Sequence, residues 1–136
     1  MTDTSGAPQR TRVTADPDWY APAGIALGIR VGDLVFTSGQ GPIDQHGTTV
    51  GKGDFEAQAR QALSNLALVL ENAGSGLDQV VKATVFVTDI GRDQEAFARL
   101  RAAYFVPHTF AESFVEVSSL ADPDWLIEIE AVAVAG

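Results

Sequence analysis

An α+β fold, two helices on one face of a mixed sheet, is what this sequence predicts, and three patterns carry the prediction. "WLIEIEAVAV" (125–134) and "ESFVEV" (112–117) alternate residue by residue, as strands with two unlike faces do. From 54 to 74, and again from 92 to 106, apolar residues recur at the i, i+3, i+4 spacing of amphipathic helices. The periods run strands, helix, strand, helix, strands, with no internal repeat and no long linker, so 8–136 reads as a single domain.

Residues 1–7 are small, polar and Gly/Pro-containing, which predicts a flexible tail. "QRTRVTA" reads as a short edge strand, and "DPDWYAPAG", with two Pro and a Gly, as a turn and loop. "IALGIR" and "LVFTSG" flank the turn "VGD" as a hairpin, and the Gly-rich "QGPIDQHGTTVGKG" has no period. In the first helix Ala59, Ala62, Leu63, Leu66, Val69, Leu70 and Ala73 form the buried stripe, with Asp54 as N-cap and Gly74 as C-cap. "VVKATVFVTD" (80–89) follows as a strand with Val81, Ala83, Val85 and Val87 on one face. The second helix (92–106) buries Ala96, Phe97, Leu100 and Tyr104.

Two helices cover one face of such a sheet. The smoother apolar faces, Val81/Val85, Val115/Val117 and Ile127/Ile129, are expected beneath them. The other face is then left with Phe86, Phe114, Leu126 and Val132 beside Glu112, Glu116, Glu128 and Glu130. So much apolar surface predicts cover by another subunit. Carboxylates there must be paired, protonated or functional.

Composition narrows the partners. A net charge of -9, with no basic cluster, argues against nucleic acid, whose binding needs Lys and Arg in number. No run approaches the roughly 18 apolar residues that span a bilayer, and the N-terminus shows no signal peptide, so a soluble cytoplasmic protein without membrane contact is expected. With no cysteine and two separated histidines, His46 and His108, neither thiolate chemistry nor a metal site is expected. "SGQG" lacks the lysine and spacing of a phosphate loop, and no cofactor is predicted.

The ordered set "VGDLVFTSGQGPI", "AQARQALSNLALVLENAGSGLDQVVKATVFVTDI", "YFVPH", "ESFVEV" and "IEIEAVAV" resembles the Rid (YjgF) family from about residue 24 to the end. That resemblance implies a chorismate-mutase-like fold and a homotrimer whose sheets form a central barrel. It also implies small-molecule clefts between neighbouring protomers, where reactive imines and enamines are hydrolysed. The family's "P-A-R-S-x-V-E-V" meets "FAESFVEV" here without a gap, so Glu112 stands where the carboxylate-holding Arg is expected. The family's cleft tyrosine maps onto Ile25. Its water-positioning Glu maps onto Glu128, and "TSGQ" supplies Ser38 and Gly39.

Glu128 and Glu112 are therefore the candidate catalytic pair, a general acid and base split by environment. Ile25, Ser38, Gly39, Arg101 and Phe114 are the candidate substrate-binding residues. A competing reading makes Glu112 an interface charge neutralised by Arg101 or Arg30 from a neighbour. The expected reaction is hydrolysis, tautomerisation or cyclisation of an imine, enamine or related nitrogen metabolite, not hydrolysis of 2-imino acids. The competing function is a trimer that binds a small amine-bearing ligand without turning it over.

Overall fold

The computed structural model describes residues 9–136, so the expected tail at 1–7 lies outside the described residues. One six-stranded sheet runs in the order β1-β2-β3-β6-β4-β5. Its strands are β1 (Arg10–Val13), β2 (Gly28–Val31), β3 (Leu34–Thr37), β4 (Val80–Val87), β5 (Ala111–Glu116) and β6 (Ile127–Val134). Only the β4–β5 pair is parallel, which makes the sheet mixed. Helix α1 (Phe55–Asn72) leads into β4, and α2 (Ile90–Tyr104) is the crossover from β4 to β5.

Both helices lie on one face, as expected. Asp54 caps α1 by accepting from the Ala57 N–H, and Gly74, at φ 83°, takes the left-handed position just past its end. α2 starts two residues earlier than its apolar period suggests, because Asp89 caps it by accepting from the Arg92 N–H. Ala59, Ala62, Leu63, Leu66, Val69 and Leu70 of α1 meet Val35, Val85, Ile127, Ile129 and Ala133 of the sheet, and α2 adds Phe97 and Leu100.

Two strand assignments are corrected. A bulge in the β4–β6 ladder between Val80 and Lys82 turns Val80 into the core and leaves Val81 41% exposed. On β5 the faces are reversed. Glu112 pairs with Ala83, Phe114 with Val85 and Glu116 with Val87, all residues of the helix-covered face. Phe114 stacks on Phe97 of α2 at 5.4 Å between ring centroids, whereas Val115 is 38% exposed on the opposite side. Alternation says which residues share a face but not which face is covered. On this strand one aromatic ring outweighs two valines for the place under α2.

The open face thus carries Leu34, Phe36, Val132 and Val134 in one block, flanked by Ile29, Val31, Phe86 and Val115. Leu34, Phe36, Val115 and Val134 are exposed there in the single chain. Leu126, expected on this face, lies just ahead of β6 and packs against the core, its N–H donating to Gln58.

Candidate functional site

The two carboxylates expected to work as a pair are not together within the chain. Glu128 is opposite Phe86 of β4, on the open face. Glu112 is opposite Ala83, on the helix face, and β4 lies between β5 and β6. Their environments differ accordingly.

Glu112 is committed. Arg101 of α2 donates to it through both Nε (2.8 Å) and Nη2 (2.6 Å). The guanidinium also lies over the Phe97 ring, 5.2 Å from its centroid. This pair sits on the floor of a cavity of about 430 Å³ walled by Ala98, Ala102, Phe105, Pro107 and Phe110. His108, at φ 66° in the left-handed region, stands on its rim. The reading of Glu112 as a neutralised charge holds, and the partner is Arg101 of its own chain. Arg30 is used elsewhere, donating to the Ala73 carbonyl at the end of α1.

Glu128 is uncommitted. It is half-buried, and among the described residues nothing donates a hydrogen bond to its carboxylate. Burial, and behind it the like charge of Glu130, holds this carboxyl above its ordinary value. The repulsion comes from its own strand, not from Glu112. Gly39 shapes its place: a Cβ there would stand 2.6 Å from both Cδ and Oε2 of Glu128, so only glycine lets the carboxyl lie flat on the backbone. Gln40 holds this stretch to β6, exchanging backbone hydrogen bonds with Ile129 at 2.7 and 3.0 Å.

Ser38 lies beside Gly39, with its hydroxyl donating to the Ala26 carbonyl at 2.6 Å. Ile25 is exposed and lines a separate shallow cleft with Arg12, Gly24 and Ile29. Phe114 serves the core through Phe97 and does not reach the open face. The structure therefore groups Glu128, Gly39 and Ser38 on one side, and Arg101, Glu112 and Phe114 on the other.

The sequence reading missed Tyr20. The resemblance directs attention to position 25, where there is no tyrosine, yet the Tyr20 hydroxyl donates to the Gly39 carbonyl at 2.5 Å. Burial first, and the Glu128 charge second, push this phenol up to about 12. The one signal in the sequence was an aromatic pair, Trp19-Tyr20, inside an otherwise turn-forming stretch. Among the described residues no group of three or more His, Asp or Glu is placed to hold a metal ion, and no helix is long and apolar enough to cross a membrane.

Known proteins agree with this frame. The family model described as endoribonuclease L-PSP matches residues 20–135. A 2-iminobutanoate/2-iminopropanoate deaminase of Salmonella typhimurium is 44% identical over 123 residues, covering 84% of this chain and 91% of its own. A RutC family protein of Pyrococcus horikoshii is 42% identical over 105 residues, covering 77% and 82%. Among solved structures, a Rid-family protein of unknown function from Yersinia pestis superposes with a TM-score of 0.85 at 33% identity, covering 93% of this chain and all of that one. The YjgF product of Escherichia coli does so with a TM-score of 0.77 at 32% identity, covering 91% and 98%. The sheet order, the paired helices and these likenesses together make the chain a member of the Rid (YjgF) family.

Proposed function

We propose that this protein hydrolyses a small imine or enamine, or processes a related nitrogen metabolite, with Glu128 as the group that moves the proton. The observation that carries the reading is Glu128 itself: a half-buried carboxyl with no hydrogen-bond donor among the described residues, laid against Gly39 and held above its ordinary value. Such a group takes a proton from water as the water attacks the C=N carbon and passes it to the nitrogen, which gives the carbinolamine; it then moves the carbinolamine hydroxyl proton to the nitrogen as that intermediate collapses. One water is consumed, the carbon–nitrogen bond breaks, and a carbonyl compound and ammonia leave.

The exposed apolar block on the open face supports a homotrimer that covers it, and β5 at the sheet edge would then line a cleft shared with a neighbour. In this reading Glu128 of one protomer and the Arg101–Glu112 cavity of the next meet only across that boundary. A stable monomer in sedimentation at micromolar concentration would remove the shared cleft.

Relatives named 2-iminobutanoate/2-iminopropanoate deaminase suggest the chemistry, and the Arg101–Glu112 fork suggests a different substrate. The guanidinium is already neutralised and its two forward donors are taken, so a substrate carboxylate finds a net-neutral site among apolar walls. The preferred substrate is an imine without a free carboxylate. Ammonia release from 2-iminobutanoate and from its neutral amide, measured side by side, tests this. Faster turnover of the amide is expected, and faster turnover of the acid would make Arg101 a working anchor. Recovery of both ligands unchanged at the uncatalysed rate, with thermal stabilisation by either, would favour the binding-only function.

A further inference from the structure

The Arg101–Glu112 cavity is larger than hydrolysis of a short imine requires. At about 430 Å³ it falls within the roughly 300–1,000 Å³ of sites that hold drug-sized ligands, and a four-carbon imine leaves most of it empty. Its walls are built to stay open. Phe105 is buried, its N–H donates to the Arg101 carbonyl at 3.0 Å, and its ring stacks on Phe110 at 4.9 Å between centroids. Between those two rings the chain turns tightly, and the Val106 carbonyl accepts from both the N–H (3.4 Å) and the hydroxyl (2.8 Å) of Thr109. Pro107, whose ring fixes φ, and His108, in the left-handed region, are the central residues, the pattern of a type II turn. Another wall is helical: Ala98 and Ala102, one turn apart on α2, present only methyl groups.

Arg101 offers this space a limited set of contacts. Phe97, fully buried, covers one face of the guanidinium at 5.2 Å, and Glu112 holds the edge formed by Nε and Nη2. The side chain is still 31% accessible and borders the cavity, so the other face and Nη1 are what it presents there. A flat, weakly hydrated cation accepts an aromatic ring on its face, and Nη1 has donors for a single carbonyl oxygen. Because the pair is net neutral, a carboxylate gains nothing here by its charge.

We propose that this cavity is the pocket for the substrate's side chain: it takes a flat apolar group of aromatic size, stacked on the Arg101 guanidinium, with a neutral carbonyl beside it on Nη1. The substrate class is then an imine or enamine that carries an aromatic substituent and whose carbonyl belongs to an amide, ester or ketone. The inference rests on the proposed reading of this cavity as one half of a shared cleft, and it does not depend on which group moves the proton.

Phenylacetamide and butanamide are stable probes for the test, titrated calorimetrically against the wild-type protein and against Ala102→Phe. Ala102 is exposed on α2, so a ring grown from it fills the pocket without entering the core. Phenylacetamide should bind wild type at least about tenfold more tightly than butanamide, from its larger apolar area and the ring–guanidinium contact. Ala102→Phe should lose about that factor for phenylacetamide, with its melting and sedimentation unchanged. Equal binding of the two amides, or undiminished binding to Ala102→Phe, would overturn the proposal. Tighter binding of phenylacetate than of phenylacetamide would overturn it by making Arg101 an anion anchor. Dissociation of the assembly in Ala102→Phe would overturn it too, because a neighbouring copy would then be what fills the cavity. Should Ala102→Phe not fold, NMR contacts between the phenylacetamide ring and the Ala98 and Ala102 methyls of wild type decide the matter, and their absence sinks the pocket. A fully active Glu128→Gln enzyme that still prefers phenylacetamide removes the proton-transfer reading and leaves the pocket standing. An inactive Glu128→Gln enzyme with no preference for the ring removes the pocket alone.

Discussion

Glu128 and Glu112 look alike in the sequence, each alternating with apolar residues in a strand, and they have opposite fates in the fold. Glu112 lies under α2 with both carboxylate oxygens held by Arg101. Glu128 lies on the open face, half-buried, with no donor among the described residues. The difference teaches that burial does not by itself make a carboxylate reactive. A carboxylate with a bidentate arginine has both oxygens occupied, whereas one that burial holds above its ordinary value without a partner is the more apt to exchange a proton.

Four expected outcomes can break or sharpen that contrast. The largest concerns Glu128→Gln, which keeps the side-chain volume and removes the titrating group. Steady-state ammonia release should fall at least about a hundredfold, the usual scale for losing a general acid or base, while circular dichroism stays unchanged. Next, Gly39→Ala places a methyl where the carboxyl now rests. Displacing Glu128 in this way should cost about 10- to 100-fold in rate with the fold retained, and a fully active variant would mean that the packed position of the carboxyl is not needed.

On the other side of the sheet the effects should be on stability. Arg101→Met strips Glu112 of both its donors and should cost about 1–3 kcal/mol in urea unfolding. Adding Glu112→Leu should recover part of that loss, because no unpaired charge then remains. An Arg101→Met protein as stable as wild type would show the fork to be a surface pair of little consequence. The smallest effect is a pH dependence. Glu128 titrates in the folded chain above its ordinary 4.5, so the stability it contributes is whole below that value and is lost as pH rises through the folded one. Glu128→Gln should therefore melt like wild type near pH 4 and higher than wild type at pH 7–8, as followed by differential scanning calorimetry.

Most of the fold was legible in the sequence because it rests on long periodic signals. The stripe from Ala59 to Ala73 and the alternation of "IEIEAVAV" each repeat often enough to fix an element and its buried side. β5 was misread because its signal is short and nearly symmetric: Phe114 on one side, Val115 and Val117 on the other. Only the position of α2 decides between them. That one reversal carried Glu112 to the wrong face and produced a carboxylate pair that a single chain does not contain. Val81 went wrong for a related reason, since a bulge breaks the period of two that the reading depends on. Tyr20 was out of reach for another reason. Its place depends on a contact across 19 residues to a backbone carbonyl, which leaves no pattern in the local sequence.

The contrast between the two carboxylates is tested most directly by assaying Glu128→Gln and Glu112→Gln side by side for ammonia release from the same imine, at equal folded concentration. Glu128→Gln is expected to lose at least about a hundredfold in rate, and Glu112→Gln to stay within a few-fold of wild type while losing stability. Equal losses in both, or a larger loss in Glu112→Gln, would show that Glu112 does the proton transfer and that the unpartnered carboxyl of Glu128 is only tolerated.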